Sequence, residues 1–285
     1  MAAMSNWAIN FMVLLCGLVG KTGGILQCCS GPSPYSMTTN TNSNSFTPPA
    51  PKVADGEKTP AAIALGWLHT AKFLTTAPEL HFLPPLDLPE IAFVGRSNAG
   101  KSTCINTLTQ QKQLAYASKK PGRTQHINLF SLGKQGVTDA ILTDLPGYGY
   151  AAVPKQDKIR WQQVMANYLI TRENLTGIVL MCDPRHGLTE LDEILLDVIR
   201  PRVQEGLKFL IILTKSDKLT RSEATKILSI TKLQAGGGDV MLFSATKRKG
   251  IDEVAQLLWK WAHPPAKKEK TPKAEMPEEP AAEDE

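Results

Sequence analysis

The chain has no C-x-x-C pair, and its five cysteines (Cys16, Cys28, Cys29, Cys104 and Cys182) stand at no metal-ligand spacing. A cysteine-ligated metal module and a disulfide framework are both excluded, and the odd count points to a reducing compartment. Cys104 and Cys182 lie in apolar stretches, where a free cysteine acts as a small buried hydrophobe. No internal repeat is visible, which removes the repeat architectures. Basic residues are missing ahead of the apolar stretch "NWAINFMVLLCGLVG" (6–20), since the first charge, Lys21, follows it. That stretch has about the length of a signal-peptide core and is short for a membrane span, but a secretory core without a basic lead is a poor match. A targeting segment, a weak membrane anchor and a role-less extension translated from upstream of the true start are the readings. The last fits best.

What is present is an ordinary globular composition, 42% hydrophobic and 21% charged, over 285 residues. The net charge of +5 is uneven. Residues 264–285 carry four Lys against seven acids, while 61–263 carry a net +7. A basic middle raises the odds of an anionic partner without establishing one. Residues 30–51 are rich in Ser, Thr, Asn and Pro and read as disordered, as does the charged tail. The expected organisation is an N-terminal extension over 1–59, one globular domain over 60–263 and a solvated tail over 264–285.

From residue 60 onward, short apolar runs alternate with longer helical patterns, which predicts a parallel sheet with crossover helices. Strands are expected at 90–95, 127–132, 139–144, 177–183, 208–215 and 240–245. Several are apolar at consecutive positions, as strands buried on both faces should be. Helices are expected at 61–74, 101–108, 155–172, 189–202, 220–230 and 250–262. Thr189 with Asp192, and Thr220 with Glu223, form the spacing of a capping box, and Pro201 is expected to disturb its helix end. Val254, Leu257, Leu258 and Trp261 mark the core stripe of the last helix.

"GRSNAGKS" (95–102) fits G-x-x-x-x-G-K-[ST] between a strand and a helix, the context a phosphate-binding loop requires. Its glycines let main-chain N–H groups and the helix N-terminus face an anion. Lys101 is placed for the β- and γ-phosphates, and the Ser102 hydroxyl for Mg²⁺. "DLPG" (144–147) follows a strand, so that Asp144 can hold Mg²⁺ through water and the Gly147 N–H can meet a γ-phosphate. "TKSD" (214–217) selects the base. A carboxylate on Asp217 accepts from guanine N1–H and the exocyclic amine, a donor pair that adenine lacks on that edge. The Lys215 stem would lie along the base, and "FSA" (243–245) is placed to give an N–H to guanine O6. Thr124, in the basic loop "KKPGRTQHIN" (119–128), can complete a Mg²⁺ shell when the γ-phosphate is bound. A plain basic surface loop is the alternative.

Together, "GRSNAGKST", "KKPGRTQHIN", "DLPGYGYA", "TKSD" and "FSA" resemble the EngB (YihA/YsxC) family of small bacterial GTP-binding proteins, within the TrmE-Era-EngA-EngB-septin-like GTPases. The likeness runs from Leu83 to His263 and includes "DPRHGLTELD" (183–192). It implies an α/β fold: a P-loop NTPase G domain, with a mostly parallel central sheet and helices on both faces. It implies GTP or GDP as ligand and Mg²⁺ as cofactor, held by Ser102 and Thr124. The nucleotide positions it implies are Gly95, Arg96, Ser97, Asn98, Ala99, Gly100, Lys101 and Ser102, then Gly122, Arg123, Thr124, Gln125 and His126. They continue with Asp144, Leu145, Pro146 and Gly147, then Thr214, Lys215, Ser216 and Asp217, then Phe243, Ser244 and Ala245. The resemblance further implies a cytoplasmic protein, monomeric, tied to large ribosomal subunit assembly and to normal cell division and septation. A membrane partner and DNA are not expected. A septum- or membrane-associated GTP-binding scaffold is the other reading.

One residue is missing from this set. Many GTP-hydrolysing switches place a water-orienting Gln directly after D-x-x-G, and here that position is Tyr148. Slow intrinsic hydrolysis is therefore expected. In related GTPases an Asn at the place of Asn98 helps hold K⁺ beside the phosphates; Asn98 as a simple turn residue is the competing reading. No lid segment or acceptor-binding Arg cluster lies between the motifs, which disfavours a kinase.

Overall fold

The computed structural model describes residues 58–115, 126–149 and 155–265. Thr59 caps the first helix, α1 (Pro60–Leu68): its hydroxyl accepts the Ala62 N–H, and Pro60 takes the first turn, where a missing N–H costs nothing. Next come β1 (Lys72–Ala77), β2 (Glu90–Gly95), α2 (Lys101–Leu108), β3 (Ile127–Leu132), β4 (Ala140–Asp144), α3 (Lys155–Thr171) and β5 (Leu175–Cys182). The chain continues through α4 (Glu190–Gln204), β6 (Lys208–Leu213), α5 (Arg221–Ala235), β7 (Asp239–Leu242) and α6 (Ile251–Ala262).

Seven described strands form one sheet in the order β1-β3-β4-β2-β5-β6-β7. β3 pairs antiparallel with both β1 and β4, and every other pairing is parallel. Parallel strands need crossover helices, and these cover both faces. Alternate residues of each central strand serve different cores. Ile91 and Phe93 of β2 pack with Trp67, Leu108, Leu258 and Trp261 under α1, α2 and α6. Ala92 and Val94 pack with Tyr168, Leu169, Leu195 and Ile199 under α3 and α4. Cys104 and Cys182 are buried free thiols, as expected, whereas Cys16, Cys28 and Cys29 lie outside the described residues.

Three sequence expectations need correction. The helix expected over 61–74 ends at Leu68, and Lys72–Ala77 is instead the sheet's edge strand. "KFLTTA" pairs with β3 some 50 residues later, and local periodicity carries no sign of a partner that distant. Pro201 does not end α4, which runs on to Gln204. A proline near a helix end removes one N–H donor, and the last turn still closes through Glu205 N–H to Pro201 O. The strand expected at 240–245 stops at Leu242, leaving 243–245 as a loop at the sheet's edge.

Candidate functional site

Parallel strands end at one edge of the sheet, and the motifs lie there. Gly95 closes β2 with φ +152°, and a Cβ on it would come within 2.6 Å of Met181 O, so only glycine fits this close approach. Gly100, at φ +101°, turns the loop into α2. Asn98 (φ +65°) adopts the left-handed conformation that Asn tolerates better than most residues, which favours its turn role.

The loops are tied to one another by specific bonds. The buried Lys101 ammonium donates to Asp144 Oδ1, joining the phosphate-type loop to the end of β4. Ser97 N–H donates to Tyr148 O at 2.8 Å, and Tyr148 N–H to Gly95 O at 3.3 Å. Thr214 Oγ1 donates to Ala99 O at 2.7 Å, and Lys215 Nζ to Asn98 O at 3.0 Å, so the T-K-S-D loop braces the same turn. Ser244 Oγ donates to Asp217 Oδ1 at 2.6 Å and itself accepts the Lys247 N–H at 3.1 Å. Ser216 N–H donates to Phe243 O at 3.1 Å. Four of the five sequence motifs thus form one connected constellation. In the fifth, Gly122, Arg123, Thr124 and Gln125 lie outside the described residues. His126 is exposed at the head of β3, and Asn128 there pairs with Asp144 at the end of β4.

Electrostatics sharpen the picture. The Ser244 hydroxyl holds the Asp217 carboxyl below its ordinary pKa, so it stays an acceptor. Asp144 Oδ2 and Ser216 Oγ are buried without a partner among the described residues. A buried carboxylate oxygen left bare is costly, and such an atom is where a further ligand is met. Ser102 follows Lys101 in the first turn of α2, and its hydroxyl and the Asp144 carboxylate are hard oxygens of the kind that suits Mg²⁺.

Asp183 carries no role predicted from the sequence, and Asp192 only that of the capping box with Thr189, although both lie in "DPRHGLTELD". Asp183 accepts from Lys215 Nζ at 2.9 Å and from Arg185 Nε and Nη2 at 2.9 and 2.6 Å. The Arg185 guanidinium holds its carboxyl well below the usual carboxylate range. Asp183 therefore positions Lys215, whose ammonium also reaches Asn98 O. Its place at the end of β5, level with the other strand-end motifs, was the available signal. These side chains line a cleft of about 210 Å³ between Arg96, Asn98, His186 and Lys215.

A strand-end phosphate-type loop, a D-x-x-G and a T-K-S-D joined on a mostly parallel sheet define a P-loop nucleotide-binding domain of the GTPase class. A protein family described as "50S ribosome-binding GTPase" matches residues 90–215. The chain is 87% identical over 202 residues to the "Probable GTP-binding protein EngB" of Albidiferax ferrireducens, covering 71% of this chain and 98% of that relative. It is 49% identical over 208 residues to the protein of the same name from Burkholderia mallei, covering 70% and 94%. The Aquifex aeolicus Era protein bound to GDP and aluminium fluoride has a similar fold, with a TM-score of 0.51 at 23% identity over 62% of this chain and 57% of that one. The chain belongs to the EngB family of GTP-binding proteins.

Proposed function

We propose that this chain is a GTP-dependent switch that acts in assembly of the large ribosomal subunit, and through it in normal cell division and septation, as a cytoplasmic monomer with slow intrinsic hydrolysis. The observation that carries the switch reading is the pair of bonds joining segment 144–148 to the phosphate-type loop, Lys101 to Asp144 and Ser97 to Tyr148. A γ-phosphate needs the same lysine, so its arrival is felt by the segment. The ribosomal reading is supported by the description of the matching family.

In this reading Asp217 reads guanine, Lys215 lies along the base and the loop at 243–245 meets O6. Ser102 and Thr124 would hold Mg²⁺, with Asp144 acting through water; the ion supplies charge neutralisation at the phosphates. Lys247, Arg248 and Lys249 stand exposed in the turn after Ser244 and make no ion pair among the described residues. They offer phosphate contacts to ribosomal RNA, as does "KKPGR" (119–123), which lies outside the described residues.

Sedimentation of the full chain with large-subunit particles, in a non-hydrolysable GTP analogue and in GDP, tests the reading. Co-sedimentation favoured by the analogue is expected, and equal or absent association in both contradicts it. Hydrolysis in K⁺ and Na⁺ at matched ionic strength, for wild type and Asn98→Ala, tests the cation. Potassium-specific acceleration lost in Asn98→Ala would assign Asn98 to it, and equal rates would leave Asn98 as the turn residue its φ suits.

A further inference from the structure

Tyr148 occupies the place of the water-orienting Gln, yet its phenol points away from the phosphate-type loop. The side chain is buried in the core under α3 and α4, and its hydroxyl donates to Asp192 Oδ1. That acceptor is fixed in turn. Asp192 Oδ2 accepts the Thr189 N–H at 2.8 Å and the Thr189 hydroxyl at 2.7 Å, in the capping box that starts α4. Burial first, and the Asp192 carboxylate second, push the phenol's pKa well up, so it remains a donor across the physiological range.

The main chain of the same residue is zipped onto the phosphate-type loop. Arg96 and Tyr148 form a parallel bridge, with Ser97 N–H donating to Tyr148 O. Gly147 approaches so closely that a Cβ there would lie 3.1 Å from Ser97 N and Cα. One residue thus joins the loop, through its backbone, to the cap of α4, through its side chain. At its far end α3 is also anchored, since Tyr168 and Arg172 both donate to the buried Glu90. The segment between Tyr148 and Tyr168 is tethered at both ends.

We propose that Tyr148 is a specificity-determining residue for the third phosphate: its bond to Asp192 holds segment 144–148 against the phosphate-type loop and so sets the preference between GTP and GDP. GDP carries no group that competes for this position. A γ-phosphate takes the Lys101 ammonium that Asp144 accepts from, and the segment must shift to receive it on Gly147 N–H. The Tyr148–Asp192 bond opposes that shift, and it lowers the apparent affinity for GTP by the fraction of molecules held in the docked arrangement. GDP affinity does not depend on the shift.

This proposal rests on the assignment of loop 95–102 and segment 144–147 to the phosphates. If wild type bound neither nucleotide, that assignment would fall, a result distinct from those below. The test is titration of full-length wild type, Tyr148→Phe and Asp192→Asn with GDP and with a non-hydrolysable GTP analogue in Mg²⁺. Tyr148→Phe keeps the ring in the core and removes only the tether. It is expected to raise the analogue-to-GDP affinity ratio by about tenfold, the scale of one hydrogen bond to a carboxylate, with GDP affinity unchanged. Asn remains a competent capping acceptor, so Asp192→Asn keeps α4 intact and should move the ratio the same way by less. It also decides the question alone if Tyr148→Phe does not fold. A ratio unchanged or lowered in a folded variant overturns the proposal, as does an equal loss of both affinities.

Discussion

Ser244 Oγ donates to Asp217 at 2.6 Å, and this bond ties the two loops proposed to hold the guanine. Because the carboxyl is held below its ordinary pKa, base recognition should be flat from neutral into mildly acidic pH and fail only as pH drops through the depressed value. Ser244→Ala removes the leading cause of the depression, so the loss of GDP binding should begin at a higher pH than in wild type. Coincident pH profiles would contradict the assignment. Asp217→Asn keeps an oxygen for one guanine donor but sets an NH2 against the other, leaving that donor mismatched. It should weaken GTP binding roughly a hundredfold or more and strengthen binding of xanthosine nucleotides, whose C2 carbonyl accepts from an amide. Nucleotide titration of both variants decides this. Asp217, Lys101 and Asp144 were legible in the sequence because each sits in a spaced motif at a strand end. Asp192 was legible only as the capping-box partner of Thr189, and its bond to Tyr148, like the bonds of Asp183, was not: nothing in residue type or spacing states what a carboxylate will accept from across the fold.

The C-terminal end of α3 is held by a buried carboxylate. Glu90 opens β2 fully buried, and its carboxylate accepts from Thr143, Tyr168 and Arg172. Arg172→Met removes the compensating cation and leaves the carboxylate buried, so a loss of about 3–5 kcal/mol in urea unfolding is expected. A loss below about 1 kcal/mol would show that the network is not structural. Gly177 in β5 shows the opposite constraint: a Cβ there would stand 2.3 Å from Trp261 Cε3, so β5 and α6 pack at glycine distance. Gly177→Ala should cost about 1–3 kcal/mol through displacement of the indole, read in the same unfolding assay. Central strands and amphipathic helices were legible because their apolar runs and stripes are strong. β1 was not, because an edge strand is defined by its partner, and Glu90 was not, because burial of a charge depends on three donors brought from distant elements.

At the scale of the whole molecule, the sheet order brings the parallel strand ends to one edge, and the long-range bonds between loops make that edge a single unit. The middle of the chain is basic, net +7 over 61–263, which is consistent with the proposed RNA partner. If Lys247, Arg248 and Lys249 meet phosphates, Arg248→Asn with Lys249→Gln should flatten the salt dependence of large-subunit binding by about two in log–log slope. Asn suits the left-handed backbone of Arg248 (φ +51°), so the turn is kept, and an unchanged slope would move the contact elsewhere. No helix among the described residues is long and apolar enough to cross a membrane. Under the proposed switch, segment 144–148 and the stretch up to residue 155 change state with the third phosphate, and limited proteolysis of the full chain reads that change. With Mg²⁺ and a GTP analogue, cleavage within 145–155 and 115–126 should be suppressed relative to GDP. Equal cleavage in the two nucleotides would mean that the protein binds GTP without switching.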